Sequence, residues 1–385
     1  MSKQDREAQR PRWMIYGANG YTGELIAREA VRRGHAPVLA GRRRQAVQAL
    51  ADALALEARA FALDDAALLA AEIRGHALVL NCAGPFSATA APMMAACLDA
   101  GAHYLDITGE IAVFEHAQSL DARAREAGVV LCPGVGFDVI PTDCVAAALK
   151  EALPDATHLA LGFDTRSGLS PGTAKTSIEG LAQGGKVRRD GQIVTVPLAY
   201  GVRRIDFGDG EKEAMTIPWG DVSTAYHTTG IPNIEVYIPG SPRMIASARR
   251  ANLVRPLLRL AWVQKLVKAH LARTVKGPGD EQRARTPTFV WGEATNPRGR
   301  TVVARIRTAN SYSLTITGAL AVVEHLLGAR PKGGAYTPAR LMGADLVTRL
   351  PGSGPLKIDR ADGQAGVVRV VKPRRSRRAG RRDRA

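Results

Sequence analysis

Seven residues near the start of the chain, Gly17-Ala18-Asn19-Gly20-Tyr21-Thr22-Gly23, separate a short apolar run at 13–16 from an amphipathic stretch at 24–33. In that stretch Leu25, Ile26, Ala30 and Val31 recur at helical spacing. Gly34 stops the helix, and Pro37-Val38-Leu39-Ala40 restarts a strand that closes in Gly41, Arg42, Arg43 and Arg44. Strand, glycine turn, helix and strand make one βαβ unit, which commits the chain to a parallel sheet with helices on its faces. A glycine loop feeding a helix N-terminus presents free backbone N–H groups and a positive dipole end, the chemistry of a pyrophosphate site. The residue closing the second strand then meets the adenosine ribose. An acid there accepts from a free 2′-hydroxyl, whereas an arginine favours a 2′-phosphate. The spacing G-x-x-G-x-x-G differs from G-x-G-x-x-G, so it is the βαβ context together with Arg42 that points to NADP.

A chain of 385 residues has room for two domains of ordinary size. Hydrophobic content of 45% beside 23% charged residues belongs to a globular chain, neither disordered nor collagen-like. Cys82, Cys97, Cys132 and Cys144 form no C-x-x-C pair and stand near no histidine cluster. They read as buried reduced thiols, and no metal site is expected. No signal peptide opens the sequence and no apolar run reaches the roughly eighteen residues that span a bilayer. A soluble, cytoplasmic protein is the expectation.

The net charge of +17 is concentrated in two places. Residues 372–385 hold eight basic side chains and one acid, residues 241–279 hold nine basic and no acid, and the rest is nearly balanced. The first segment has no apolar residue able to anchor a core and reads as a solvated tail without a specific nucleic-acid partner. Within the second, the segment 256–273, from Pro256 to its end at Arg273, mixes Leu257, Leu258, Leu260, Trp262, Leu266 and Leu271 with Arg259, Lys265 and Lys268. Two placements fit this amphipathic basic helix: docking on the core, or weak contact peripheral to an anionic membrane surface.

Alternation of strands and helices continues past the first unit. Strands are expected at 59–63, 77–82, 102–106 and 128–133, with helices at 44–56, 65–74, 89–100 and 114–127 between them. The run Ala77 to Cys82 is almost wholly apolar, as in a parallel strand buried on both faces. Six strands with helical connections make an α/β Rossmann doubly wound sheet. After Gly134 the pattern changes. A strand at 159–164, a helix at 173–181, a hairpin at 187–194 turning on Asp190-Gly191, a second hairpin at 288–307 and a helix at 311–327 describe an α+β second domain containing antiparallel strands. The expected organisation is an unstructured N-terminus at 1–11, a Rossmann domain at 12–135 and an α+β cover domain at 136–335. A return segment at 336–350 packs on the first domain, and a basic unstructured tail occupies 351–385.

Ligands of doubly wound sheets bind beyond the carboxyl ends of the strands. Those ends are Gly17 to Gly23, Arg42 and Arg43, then Asn81-Cys82-Ala83-Gly84-Pro85-Phe86, Asp106 to Glu110, and Pro133 to Asp138. The cofactor contacts expected are Gly17, Ala18, Asn19, Gly20, Tyr21, Thr22, Gly23, Arg42, Arg43, Asn81, Ala83, Gly84, Pro85 and Phe86. Asp106, Glu110 and Asp138 are the acidic residues at the reacting end and the candidates for proton transfer. Each also fits a bland role, since Asp commonly caps helices or orders turns. No Tyr-x-x-x-Lys or Ser-x-x-x-Lys pair accompanies Tyr104, so the usual short-chain dehydrogenase set is missing.

Five motifs, 17–23, 40–42, 81–86, 104–110 and 136–143, occur in an order and spacing that resemble the saccharopine dehydrogenase-like oxidoreductases, across about residues 12–350. The resemblance implies an NADP-binding Rossmann domain and an α+β domain covering the cofactor. It also implies NADP(H)-dependent hydride transfer to a carbonyl, imine or enoyl substrate, lipid-derived substrates included, because the family holds saccharopine reductases and enoyl-reductase-like members. The second-domain substrate pattern of the saccharopine reductases is absent, which counts against saccharopine as substrate. Two other readings stay open: an NADP-binding sensor without turnover, and a protein associated with a membrane surface.

Overall fold

The computed structural model describes residues 11–166, 183–258, 286–360 and 365–367. Its first sheet is wholly parallel and has seven strands: β1 (Trp13–Tyr16), β2 (Val38–Gly41), β3 (Ala58–Ala60), β4 (Leu78–Asn81), β5 (His103–Asp106), β6 (Val130–Cys132) and β15 (Gly334–Ala335). Their order is β15-β6-β5-β4-β1-β2-β3, the doubly wound arrangement with its switch between β1 and β4. Every residue of β1, β2 and β4 is buried, which explains why these strands are apolar runs without alternation. Met14 and Tyr16 pack with Met93, Met94, Val113 and Leu69 on one face. Trp13 and Ile15 pack with Ile26, Val47, Leu320 and Val323 on the other, as the two-residue period requires.

The second sheet holds the remaining described strands: β7 (His158–Thr165), β8 (Gly185–Arg189), β9 (Gln192–Val196), β10 (Val202–Asp206), β11 (Glu211–Thr216), β12 (Asn233–Pro239), β13 (Thr288–Thr295), β14 (Thr301–Thr308), β16 (Lys357–Arg360) and β17 (Ala365–Val367). It is mixed, because β12 runs parallel to β7 while the other pairs are antiparallel. The β8–β9 turn uses Asp190 at φ 47° and Gly191 at φ 79°, the left-handed pair that a two-residue hairpin demands. Helix Ile140–Ala152 lies directly on this sheet: a Cβ at Gly292 would stand 2.6 Å from Val145 Cγ1. Val145 and Leu149 share their core with Leu161, Val290 and Ala304.

Four expectations change. The first sheet has a seventh strand, and it comes from residues 334–335, where two small residues give no periodic signal. The chain also returns to the first domain earlier than residue 336, because Ala319, Leu320, Val322 and Val323 of helix Ser311–Gly328 already pack on the first sheet. Within residues 338–350, Leu341 and Met342 pack on the first domain as expected, while Ala339, Leu346, Val347 and Leu350 enter the core around helix Ile140–Ala152. Finally, residues 351–360 are not an unstructured tail, since β16 adds to β14 with Ile358 buried. The expected helix at 173–181, the segment 259–273 of the expected basic helix and residues 368–385 lie outside the described residues. Among the described residues no helix is long and apolar enough to cross a membrane.

One carboxylate joins the two domains. Glu115, on helix Ile111–Ser119 of the first, accepts through Oε1 from Arg188 Nη2 at 3.0 Å, Ser223 Oγ at 2.5 Å and His227 Nε2 at 3.3 Å. Arg188 is buried, and its other donors reach Val222 O at 2.6 Å and Gly191 O at 2.5 Å, with Tyr226 stacked at 4.0 Å. The hydrogen bonds from His227 and Ser223, with the Arg188 charge, hold the Glu115 carboxyl down at about 2. A lowered carboxylate stabilises the fold fully above its ordinary value of 4.5 and loses that contribution as pH falls toward 2. Glu115→Ala leaves a buried guanidinium uncompensated. Because Glu115 is 43% exposed, the cost should be about 2 kcal/mol, below the ~3–5 kcal/mol of a fully buried pair. Urea denaturation at neutral pH and again near pH 3 checks both size and sign, the difference between wild type and variant shrinking at low pH.

Candidate functional site

The glycine loop is built by backbone contact. Gly17 has φ 77°, and its N–H and that of Ala18 donate to Ala40 O at 2.8 and 3.1 Å, tying the loop to the end of β2. A Cβ on Gly17 would stand 2.7 Å from Ala83 N, and one on Gly23 would stand 2.4 Å from Gly17 O. Both positions therefore require glycine, one for the loop after β4 and one for seating helix Tyr21–Arg32 on the turn. Gly20 caps that helix without a side-chain acceptor of its own, the arrangement in which a helix N-terminus receives an anion. Asn19, in the amide orientation that satisfies its partner, accepts from Arg43 Nη2 at 2.8 Å and Nε at 3.3 Å. Arg42, Arg43 and Arg44 are exposed beside the start of helix Arg44–Leu54, which has no acidic residue in its first turn. Two helix N-termini and three guanidinium groups thus meet at the ends of β1 and β2. This cradle, too tight for a Cβ at its glycines and cationic at its rim, fits a pyrophosphate and a 2′-phosphate.

At the other end, Asn81 is buried and accepts from Ala83 N at 3.0 Å while donating to Thr89 Oγ1 at 3.2 Å. Thr89 donates to Ala83 O at 2.6 Å, so the loop after β4 is held from inside and leaves Gly84 and Pro85 exposed. The Gly84–Pro85 peptide is cis. Phe86 is buried and opens helix Phe86–Ala100.

The three acidic candidates separate by their partners. Asp106 is fully buried; Oδ1 accepts from Thr108 N at 3.0 Å and Gly134 N at 2.8 Å, and Oδ2 from Tyr104 OH at 2.7 Å. Burial raises its carboxyl to about 6 against those hydrogen bonds. Glu110 accepts from Phe86 N at 2.9 Å and Ser87 N at 2.7 Å, capping the helix after β4 from the loop after β5. Both carboxylates are engaged in holding the loops, and that is the role their geometry gives them. Asp138 is different. Its side chain is half-buried, its carboxylate has no hydrogen bond among the described residues, and burial raises it to about 7. Its Oδ2 lies where a Cβ on Gly109 would come within 2.9 Å, so Gly109 makes its space.

Residues that the sequence did not single out complete this wall. Trp219 Nε1 donates to Asp138 O at 3.0 Å, and its ring meets Phe163 at 4.9 Å, which meets Phe137 at 5.4 Å. Thr315 Oγ1 accepts from Phe137 N at 3.0 Å. Gly220 presses on the first domain, where a Cβ would stand 3.0 Å from Gly109 O and 2.5 Å from Phe114. Trp219 and Thr315 lie 81 and 178 residues from the groups they bond, so no local pattern announces them.

A switch-point glycine cradle, a cationic ribose corner and a second sheet domain define a Rossmann dinucleotide-binding protein. Residues 13–132 match the family model for the saccharopine dehydrogenase NADP binding domain. The first domain is thus an NADP-binding domain of the saccharopine dehydrogenase type, and the cofactor is NADP. A Mycobacterium tuberculosis protein named as a trans-acting enoyl reductase is 31% identical over 185 residues, 44% of this chain and 44% of that one. The human saccharopine dehydrogenase-like oxidoreductase is 28% identical over 220 residues, 49% of this chain and 51% of its own. The matched stretch spans about half the length of these curated relatives. Apo saccharopine dehydrogenase (L-Glu forming) from Saccharomyces cerevisiae shares the fold at TM-score 0.62 and 11% identity, over 91% of this chain and 99% of that one.

Removing the ribose corner should separate the two dinucleotides. A charge-assisted hydrogen bond is worth about 1.5–3 kcal/mol, roughly ten- to a hundredfold in affinity. Arg42→Asp should weaken NADPH binding by at least that factor and leave NADH almost unchanged in fluorescence titrations; equal losses would show that Arg42 does not meet the 2′-phosphate.

Proposed function

We propose that the chain is an NADP(H)-dependent oxidoreductase that moves hydride between the nicotinamide and a carbonyl, imine or enoyl carbon, lipid-derived substrates included, with Asp138 supplying the proton. The carrying observation is the Asp138 carboxyl, which lacks a hydrogen-bonded partner among the described residues and is raised to about 7 by burial. A general acid works best when its pKa lies near the operating pH. Asp106 and Glu110, engaged by backbone N–H groups, set its surroundings and keep the loops in register. An enoyl acceptor has further support in the name of the mycobacterial relative.

The division of work follows from the residues. The Gly17–Gly23 loop and the N-terminus of helix Tyr21–Arg32 hold the pyrophosphate, and Arg42 and Arg43 hold the 2′-phosphate. NADPH bound there supplies the hydride. Gly84 and Pro85, with Phe137 and Trp219, exclude water around the reacting carbon, and Asp138 delivers the proton to the atom that becomes negative.

Stereospecifically deuterated NADPH, offered with a panel of carbonyl, imine and enoyl-thioester acceptors, should lose label from one face only, into product. Tight NADPH binding with no transfer to any acceptor would leave the chain a binding protein. Asp138→Asn should cut the reduction rate by about 10²–10⁴-fold while NADPH binding is kept. Because the donor must be protonated, the wild-type reduction rate should fall as pH rises through about 7, and the variant should lack that limb.

A further inference from the structure

The loop that carries Trp219 ends in Asp221, the first residue of helix Asp221–Thr229. Asp221 is fully buried. Its Oδ1 lies 2.7 Å from Thr142 Oγ1 and 3.4 Å from Thr224 Oγ1, and its Oδ2 has no hydrogen-bond partner among the described residues. Thr142 sits in the first turn of helix Ile140–Ala152, directly after Asp138, and its Oγ1 is also 3.1 Å from Val139 O.

The protons can be counted. Thr142 has one hydroxyl hydrogen and two close oxygens, of which Val139 O can only accept. If Asp221 were ionised, that hydrogen could serve only one of the two, and Oδ2 would be a buried anionic oxygen without a donor. If Asp221 carries a proton on Oδ1, it donates to Thr142 Oγ1, Thr142 donates to Val139 O, and both contacts are made. The surrounding charges act in the same direction. Asp143, next along the helix, is buried and faces Asp221, as does Asp138; both disfavour a further negative charge, and burial pushes Asp221 well up. Asp143 itself accepts from Thr228 Oγ1 and from Ala339 N at 2.8 Å. Of the other charged groups on elements packed against helix Asp221–Thr229, Glu115 takes Arg188 and His227, Glu235 on β12 takes Tyr237, and Lys186 and Arg189 on β8 reach Thr195 and Tyr200, while His116, Lys150 and Glu151 stand on the same neighbouring helices.

We propose that Asp221 is a positioning residue carried as a neutral carboxylic acid, donating to Thr142 and so holding the helical turn that presents Asp138. The proposal rests on the reading of Asp138 as proton donor. A neutral Asp221 stiffens the turn without adding a second charge beside Asp138, and the Trp219–Asp138 contact closes the same turn from the other side.

Carbon-13 NMR of the full chain labelled in its aspartate carboxyl groups tests this without any substrate. Asp138→Asn and Asp221→Asn assign the two signals, and near-UV circular dichroism confirms that each variant is folded. The Asp221 signal should keep the neutral-acid position through neutral pH, and Asp221→Asn, which keeps a donor and an acceptor, should leave the Asp138 midpoint where it is. Asp221→Leu, folded but unable to bond Thr142, should move that midpoint. An ionised Asp221 signal, or a lower Asp138 midpoint in Asp221→Asn, overturns the proposal, since loss of a neighbouring anion eases ionisation. An unmoved midpoint in Asp221→Leu overturns the positioning role. Failure of Asp138 to titrate near neutrality is visible in the wild-type protein, and it sinks the reading of Asp138 rather than the protonation of Asp221.

Discussion

The Asp106 carboxylate ties together three pieces of backbone that would otherwise move separately. It receives Tyr104 from its own strand, Thr108 N from the loop that follows, and Gly134 N from the loop after the neighbouring strand. Those two loops deliver Glu110 and Asp138 respectively. An ionised carboxylate without such donors would be prohibitively costly at this depth, so the interaction and the loop conformation require one another. With the loops fixed, Glu110 reaches across to the start of helix Phe86–Ala100 and sets the loop after β4. The site is assembled from strand ends that hold each other.

Carboxylates of one composition are thereby driven to different protonation behaviour by their hydrogen bonds. Asp106 is buried but given three donors, and Glu110 is given a helix N-terminus. Asp138 is given aromatic neighbours and no donor among the described residues. Glu115, only a helical turn and a half beyond Glu110, is surrounded by donors that hold its carboxyl down at about 2. Environment, and not residue type, sorts them by how readily each ionises.

That sorting is also what separates the legible from the illegible in the sequence. The glycine cradle could be read because only glycine satisfies the contacts at positions 17 and 23, and the strands β1, β2 and β4 because burial on both faces writes an unbroken apolar run. The Asp190-Gly191 turn could be read from its left-handed φ requirement. The parallel pairing of β12 with β7 could not, since the two strands are about seventy residues apart and share no local signal. Nor could the distinction among Asp106, Glu110 and Asp138, which look alike as letters. Asp221 was invisible for the same reason, its partners Thr142 and Asp143 lying on another helix.

The late arrival of β15 and of helix Ser311–Gly328 makes the first domain discontinuous in sequence. The glycine loop is made early in synthesis, but one edge of its sheet and part of one helical layer come from residues more than 170 positions beyond β6. Chains that fold as they emerge generally complete their N-terminal domain first. Here that order is unavailable: the nascent cofactor half waits, with an open strand edge and an uncovered apolar face, until the cover domain has been synthesised. The two halves are obliged to mature together, and the cofactor cradle cannot be finished as a free-standing module.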